Sequence, residues 1–370
     1  MNIQGILDKA LDGARIGLDE GVRLYHEATL GELGAVAVEL CRRKNPRSAT
    51  HATFVVDRNI NYTNYCYTLC KFCAFYRLPG DLKEGYVRTN DEIFKKIDEL
   101  LELGGTQVLL QGGHNPDLGI EYYEALVRDV HTRYPQVHVH SFSASEVRHI
   151  AKVSNLTIKD VLLRLKAAGL NSLPGGGAEI LVDRVRKIVS PLKTRTAEYF
   201  EVHRTAHEIG LKSTSTMVYG LGETIEERMM HYDGYRRLQD QTGGFRAFIP
   251  WSFESESTEI QMPRRAGSEY LRMVAISRIM LDNIQHLQAG WVTEGPKLSQ
   301  VALLYGADDF GGILMEENVV SATGSDRLYS GVTKDEAIRL IREAGRIPVQ
   351  RNTNYETVRT YADEPALVGA

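Results

Sequence analysis

Apolar residues in the first fifty positions recur at helical spacing. Ile6, Leu7, Ala10 and Leu11 form one stripe, and Leu30, Leu33, Val36 and Leu40 form a second. No strand pattern occurs there. From about residue 52 the pattern alternates. Apolar runs at 52–60, 107–111, 137–142, 213–219, 245–251 and 284–291 read as strands, with amphipathic helices between them. The segment from Asn90 is representative. Asp91 and Glu92 lie in its first turn, where they favour the helix dipole, and Ile93, Phe94, Ile97, Leu100 and Leu101 share one face before Gly104 and Gly105 end it. Thr224 and Glu227 have capping-box spacing and start another helix, which runs to Thr242, Gly243 and Gly244. Shorter runs at 171–174 and 308–313 bring the strand-helix units to eight.

Alternating strands and helices predict a parallel sheet, and eight units are the number of a closed (β/α)8 TIM-type barrel. A doubly wound open sheet is the alternative. The barrel is preferred because glycine and polar residues gather just after the strand candidates, at Gly112-Gly113-His114, 141–146, 175–177 and Gly220-Leu221-Gly222. In a barrel those loops meet at one mouth. The expected organisation is an N-terminal helical extension at 1–50, the barrel at 51–325, and a helical or extended tail at 326–370 that packs on the barrel.

The composition of the 370 residues, 43% hydrophobic and 25% charged, suits a protein with a large core and excludes a disordered chain. Forty-four Lys and Arg against 48 Asp and Glu leave a net charge of −4, which gives no case for a nucleic-acid partner. The longest stretch without a charged side chain, 103–116, is broken by glycines and a proline, so no membrane span is expected. The N-terminus lacks the basic-then-hydrophobic order of a secretory signal, and the expected compartment is the cytoplasm.

Cysteine placement sharpens this picture. Three of the four cysteines, Cys66, Cys70 and Cys73, fall within eight residues on a loop after the first strand, and Cys41 stands alone upstream. In a reducing compartment such a group reads as a metal site before it reads as a disulfide. A closed structural zinc site wants four donors, and the nearest histidines in sequence are His51 and His114. A four-iron cluster held by three thiolates leaves one iron open to a small molecule, and Tyr65, Tyr67, Phe72, Phe75 and Tyr76 would shield its sulfurs. A set of buried thiols is the plain alternative, and Cys41 reads as buried and inert. His138 and His140 share a strand face and read as structural.

The Cys-x3-Cys-x2-Cys spacing, with Phe72 before the third cysteine, resembles the signature of the radical S-adenosylmethionine (SAM) enzymes. The runs 59–64, 111–116, 140–143, 216–223, 306–312, 316–320 and 344–348 resemble the futalosine-pathway and deazaflavin-forming branch, over about residues 50–350. The resemblance implies one 4Fe-4S cluster on Cys66, Cys70 and Cys73, with SAM as cosubstrate at the open iron. It further implies reductive release of a 5′-deoxyadenosyl radical that takes the ribose C4′ hydrogen of dehypoxanthine futalosine. The substrate radical then closes on the benzoate ring, in menaquinone biosynthesis. Implied electron donors are reduced flavodoxin or ferredoxin. An aminofutalosine-forming or deazaflavin-forming relative and a non-catalytic iron–sulfur or zinc protein are the alternatives.

Other residues are drawn in by their places just after the strand candidates, where His114 stands in the position that many relatives give to the acid of Gly-Gly-Glu. Phe72 is expected to bind the cofactor, Gly112 and Gly113 to lie beside the methionine part of SAM, Tyr219, Gly220 and Gly222 around its adenine, and Ser141, Ser143 and Glu146 near its ribose or the substrate. Arg186, with Glu179, is placed to meet the SAM carboxylate. His114 is the candidate for removing the final proton. Asn115, Asp308 and Asp309 are expected to face the substrate.

Overall fold

Thr29, Thr89, Ser143 and Thr224 each open a helix in the same way. The hydroxyl accepts the amide of the residue three positions on, and Glu32, Glu92, Glu146 or Glu227 at that position reaches back to the cap amide. The boxes at Ser143 and Thr224 place helix starts just after the strands His138–Ser141 and Lys212–Tyr219, which is the local condition for a strand-helix repeat. The structure, a computed structural model, describes residues 1–324 and 331–362, so the boundary expected at 325/326 lies outside the described residues.

Eleven strands are described: β1 (His51–Val55), β2 (Asp57–Ile60), β3 (Gln107–Leu110), β4 (His138–Ser141), β5 (Ser172–Leu173), β6 (Lys212–Tyr219), β7 (Phe245–Ser252), β8 (His286–Leu287), β9 (Asp309–Gly312), β10 (Ile347–Arg351) and β11 (Thr357–Thr360). Strands β2 to β8 form one sheet in chain order, every neighbour parallel. Gln288, just after β8, bridges to Asp309 of β9, and β9 pairs parallel with β1. Since β1 and β2 are one run broken only at Val56, the path returns to its start. The eight-unit parallel barrel of the sequence pattern is therefore present, with β8 shorter than its apolar run.

The sequence pattern gave no sign of β10 and β11. Strand β10 lies parallel to β1, with His51 opposite Ile347, and β11 pairs antiparallel at its outer edge. The Ile313 and Met315 amides donate to the carbonyls of Val55 and Asp57 on the β9 side of the first strand. The opposite edge therefore belongs to β10 at its lower end and to β3 above Val56. The tail fills the gap at the floor of the barrel.

The helices Ile3–Leu11, Leu18–Glu27 and Leu30–Lys44 precede the barrel. Gly21 and Gly34 let two of them press closely. A Cβ at the first would strike the sulfurs of Met229 and Met280, and at the second the ring of Tyr305.

The core holds several neutral histidines. His138 Nε2 and His140 Nδ1 meet one hydroxyl, Ser172 Oγ, at 2.7 and 2.6 Å. His207 lies between Thr242 and Ser213, and His231 joins the Leu181 amide to the Thr216 carbonyl. Burial pushes His138 and His231 down to about 3 and His207 to about 4, and holds His140 and His203 well below the usual value. In the unfolded chain all five titrate near the ordinary value of about 6.5. Their neutral state therefore favours the fold in full above that pH. The advantage is lost as pH falls toward the folded values, by about 1.4 kcal/mol per pH unit for each histidine. Denaturant midpoints are expected to fall steeply between about pH 7 and about pH 5, with His231→Gln flattening the slope; a flat wild-type profile contradicts this reading.

Candidate active site

Alternate residues on the first strands point inward, and many are polar: Asp57, Asn59 and Asn61 from β2 and its exit, and Gln107 and Gln111 from β3 and its exit. They enclose a cavity of about 410 Å³. At its mouth stand Cys66, Cys70, Phe72, Cys73, Gly112, Gly113, His114, Glu179 and Lys193, and at its floor His140, Gln288, Arg351, Thr353 and Tyr355.

The cysteine loop is held by its own backbone and by neighbouring loops. The Cys66 amide donates to the Arg77 carbonyl at 2.8 Å, the Cys73 amide to the Cys70 carbonyl at 3.0 Å, and the Lys71 amide to the Val189 carbonyl at 2.9 Å. The Arg77 guanidinium caps the carbonyls of Ala74 and Tyr76. Thr68 Oγ1 lies 2.9 Å from Cys66 Sγ and 3.5 Å from Cys70 Sγ. Below the loop, Gly112 and Gly113 have no room for a side chain. A Cβ on Gly113 would come within 2.2 Å of the Tyr65 carbonyl oxygen and 2.9 Å of Cys66 Cβ, and one on Gly112 within 2.6 Å of the Tyr62 ring.

Burial pushes the Cys70 thiol up to about 11 and raises Cys73 as well. Left alone, these thiols stay protonated at neutral pH, so thiolate chemistry here requires a cationic metal centre beside them. Among the described residues no three His, Cys, Asp or Glu side chains converge on a single ion. The donor set is three thiols on one wall, which lacks the fourth donor of a closed zinc site and matches a cluster with one iron left open. Cys41 is buried elsewhere, 3.4 Å from Ser48 Oγ.

The remaining expected residues divide by location. Phe72, Gly112, Gly113, His114, Ser143, Glu146 and Glu179 line the cavity. His114 is buried, stacked on His149 with ring centroids 5.1 Å apart, and burial holds it well below its usual pKa, so it is a neutral imidazole. Glu146 is already occupied. It accepts from Tyr62 Oη at 2.6 Å, the Gly112 amide at 2.9 Å, and the amide and hydroxyl of Ser143 at 2.8 and 2.6 Å. Glu179 accepts from Lys193 Nζ at 3.0 Å and lies 3.5 Å from Arg186.

Others lie away from the cavity. Arg186 is wholly buried, and its guanidinium donates to the carbonyls of Gly177, Ala178 and Thr194. Ser141 sits behind the wall, where its hydroxyl accepts the Leu110 amide. Asn115 forms a turn with the Asp117 amide. Tyr219, Gly220 and Gly222 do not line the cavity, and Glu223 takes the amides of Gly220 and Leu221 at 2.7 Å each. Asp308 and Asp309 lie at the start of β9, at the floor end and outside the cavity lining, and so do not take the substrate-facing place expected of them. Asp308 binds Arg278 and His286, which hold it well below the usual carboxylate range despite burial, and Asp309 is paired with Arg351.

Sequence reasoning missed Asp57, Lys193, Arg351, Thr353 and Tyr355. Asp57 faces the cavity, accepting from the Leu314 amide at 3.0 Å and Gln107 Nε2 at 3.3 Å, and burial lifts it to about 6. Its place in a strand alternating inward polar residues was a usable signal. Nothing local marked the tail residues.

Residues 60–233 match the radical SAM superfamily, and residues 242–364 match the CofH/MqnC C-terminal region. The cyclic dehypoxanthine futalosine synthase of Streptomyces coelicolor is 46% identical over 366 residues, 99% of this chain and 91% of that one. The chain belongs to the radical SAM superfamily. A synthase of the same name from Halalkalibacterium halodurans is also 46% identical, over 99% of this chain and 98% of its own, and the aminodeoxyfutalosine synthase of Thermus thermophilus is 38% identical over 96% of each. Two solved structures share the fold. Methylornithine synthase superposes with a TM-score of 0.72 at 18% identity, over 93% of this chain and 97% of its own. The hydrogenase maturase HydG superposes at 0.73 and 16%, over 95% and 76%. The cofactors of this radical SAM protein are a 4Fe-4S cluster and SAM, and the three-thiol wall fits the cluster.

Each of Cys66→Ala, Cys70→Ala and Cys73→Ala is expected to abolish the brown absorbance of the reconstituted protein, and Cys41→Ala to keep it. A full cluster in any of the first three contradicts the ligand set. Gly113→Ala has to move the Tyr65 carbonyl and is expected to cost about 1–3 kcal/mol in a denaturation experiment, with lower iron content after reconstitution.

Proposed function

We propose that this chain is a cyclic dehypoxanthine futalosine synthase of menaquinone biosynthesis. The observation that carries the reading is the 46% identity to synthases of that name over nearly the full length of both chains. Identity to the aminodeoxyfutalosine synthase is lower, at 38%. The cluster and SAM together supply a 5′-deoxyadenosyl radical that takes the C4′ hydrogen of the substrate ribose.

The chain's own residues do the rest. Cys66, Cys70 and Cys73 hold the cluster, while Phe72, Gly112 and Gly113 shape the wall beside it. Ring closure within one molecule needs chiefly a fixed conformer, which the inward polar residues Asn59, Asn61, Gln107 and Gln111 can hold by hydrogen bonds. His114 lines the cavity as a neutral imidazole, whose unprotonated nitrogen can take a proton, and it is the group assigned to accept the ring proton that leaves, together with one electron, as the cyclised radical regains aromaticity. Ser143, Glu146 and Glu179 keep the wall in place. The electron comes from reduced flavodoxin or ferredoxin, the working compartment is the cytoplasm, and no nucleic acid is involved. Among the described residues no helix is long and apolar enough to cross a membrane.

Anaerobically reconstituted protein with SAM and dithionite is expected to form 5′-deoxyadenosine only when dehypoxanthine futalosine is present, together with the cyclised product. Dependence on tyrosine instead would favour a deazaflavin-forming activity and overturn the proposal. His114→Gln is expected to cut cyclised product by roughly 10²-fold while 5′-deoxyadenosine still forms. Equal product yields would remove the base role.

A further inference from the structure

Apolar and basic side chains stand exposed on the cysteine loop and on the segment beside it. Leu69 sits at the tip between Cys66 and Cys70 in the left-handed region, at φ 50°, and 40% of its surface is exposed. Two contacts join this loop to the segment after the helix Asp183–Val189. The Lys71 amide donates to the Val189 carbonyl, and Lys193 Nζ lies 5.3 Å from the centre of the Phe72 ring. On that segment Ile188 is 53% exposed and Leu192 56% exposed. Leu69, Ile188 and Leu192 are therefore exposed apolar side chains on two segments that meet at the edge of the cluster-binding loop.

Its charge is one-sided. From Arg184 to Arg195 the chain has five basic residues and no acid, although the protein carries −4 as a whole. Arg184, Arg186 and Lys193 are engaged by Glu227 and Glu179. Lys71, Lys187 and Arg195 make no ion pair with any described residue, and Lys71 and Lys187 are exposed. Acids border this run: Asp183 precedes it and has its pKa lowered in part by the Arg195 charge, Glu198 accepts the Arg195 amide at 2.8 Å, and the Glu259 amide bonds the Lys71 carbonyl, so the exposed cations of the face are chiefly Lys71 and Lys187. Exposed apolar side chains beside unpaired cations suit a partner of opposite charge, with apolar contact holding it and electrostatics steering it.

We propose that Leu69, Ile188 and Leu192, with Lys71, Lys187 and Arg195 around them, form the docking face for an acidic one-electron carrier protein. The inference rests on the cluster assignment above, because these residues lie on or beside the loop that carries all three thiols. Electron transfer is a single step, in which the reduced carrier loses one electron and the cluster takes it. No atom is exchanged. A small contact of this kind, apolar at its centre and steered by charge, falls among weak and transient electron-transfer encounters.

The test uses reconstituted full-length protein, an acidic flavodoxin, and the variants Lys187→Glu and Ile188→Ser/Leu192→Ser. Two measurements are made: the Kd for flavodoxin at low and high salt, and 5′-deoxyadenosine formation driven either by reduced flavodoxin or by dithionite. Wild type is expected to bind flavodoxin more weakly as salt rises. The variants are expected to raise Kd and the KM for flavodoxin roughly tenfold, with the dithionite-driven rate unchanged. Unchanged Kd and KM overturn the proposal. So do equal losses with dithionite, which indicate structural damage, and a change in self-association without a change in flavodoxin binding, which makes the face a contact between copies of this chain. A wild type that binds flavodoxin and forms no 5′-deoxyadenosine with dithionite refutes the proposed function, and the binding arm still decides the docking face.

Discussion

One buried carboxylate ties the mouth of the barrel together. Glu146 takes the hydroxyl of Tyr62 from the cysteine-loop approach, the amide of Gly112 from the loop after β3, and the cap of its own helix at Ser143. Three separate strand exits thus meet on one side chain. Burial raises its pKa, and these donors oppose that rise, so its charge is held by hydrogen bonds and not by a cation. Removing the carboxylate would leave the buried Tyr62 hydroxyl and a loop amide without a partner, at a cost of a few kcal/mol. The close approach of Gly113 to Tyr65 and Cys66 depends on the same alignment, since Gly112 is its neighbour.

Most of the fold was legible because periodicity reports burial. All eight barrel strands fall, to within a residue, in the runs marked from the sequence, and the helix start at Asn90 and the capping box of Thr224 with Glu227 are where the sequence sets them. Strand β10 was not legible. Its sequence, Ile347 to Arg351, is five residues long and contains Pro348, which has no amide to donate, and it is held by a neighbour nearly three hundred residues away. Nothing local predicts such a pairing. Its polar residues are satisfied inside the barrel, as Arg351 is by Asp309 and Thr353 by Gln107 at 2.7 Å.

The site was legible where chemistry is dense and less so where it is sparse. Three cysteines in eight residues of a cysteine-poor chain have few uses, and all three reach the cavity. Carboxylates are ambiguous by comparison. Ser143 and Glu146 have capping-box spacing, the same signal that located the helix at Thr224, and that spacing accounts for most of what Glu146 binds. In Gly220-Leu221-Gly222-Glu223 the acid folds back on two amides of its own turn, so those amides have a partner without any ligand. Asp308 and Asp309 carry a lesson about direction. They begin the last barrel strand, and in this architecture strand starts face the floor while strand ends face the reactive mouth.

The polar interior explains why the tail is needed. An ordinary (β/α)8 barrel fills its centre with layers of branched apolar side chains and has no room for a ligand there. Here Asp57, Asn59, Asn61, Gln107 and Gln111 replace such layers around an open cavity, and Asp57 forms no ion pair with a described residue, the nearby Arg351 charge only moderating the rise that burial causes. A hollow barrel loses the cohesion of a packed core, and its floor is open to water, which a radical reaction must keep out. Strand β10 answers both problems. It extends the sheet beside β1 and sends Arg351 inward to neutralise Asp309. Tyr355 then lies over the Arg351 guanidinium at 3.9 Å and stacks on His286 at 3.5 Å, so the floor is sealed by planar groups. The C-terminal region is therefore part of the reaction chamber, and the barrel sequence alone would leave that chamber open below.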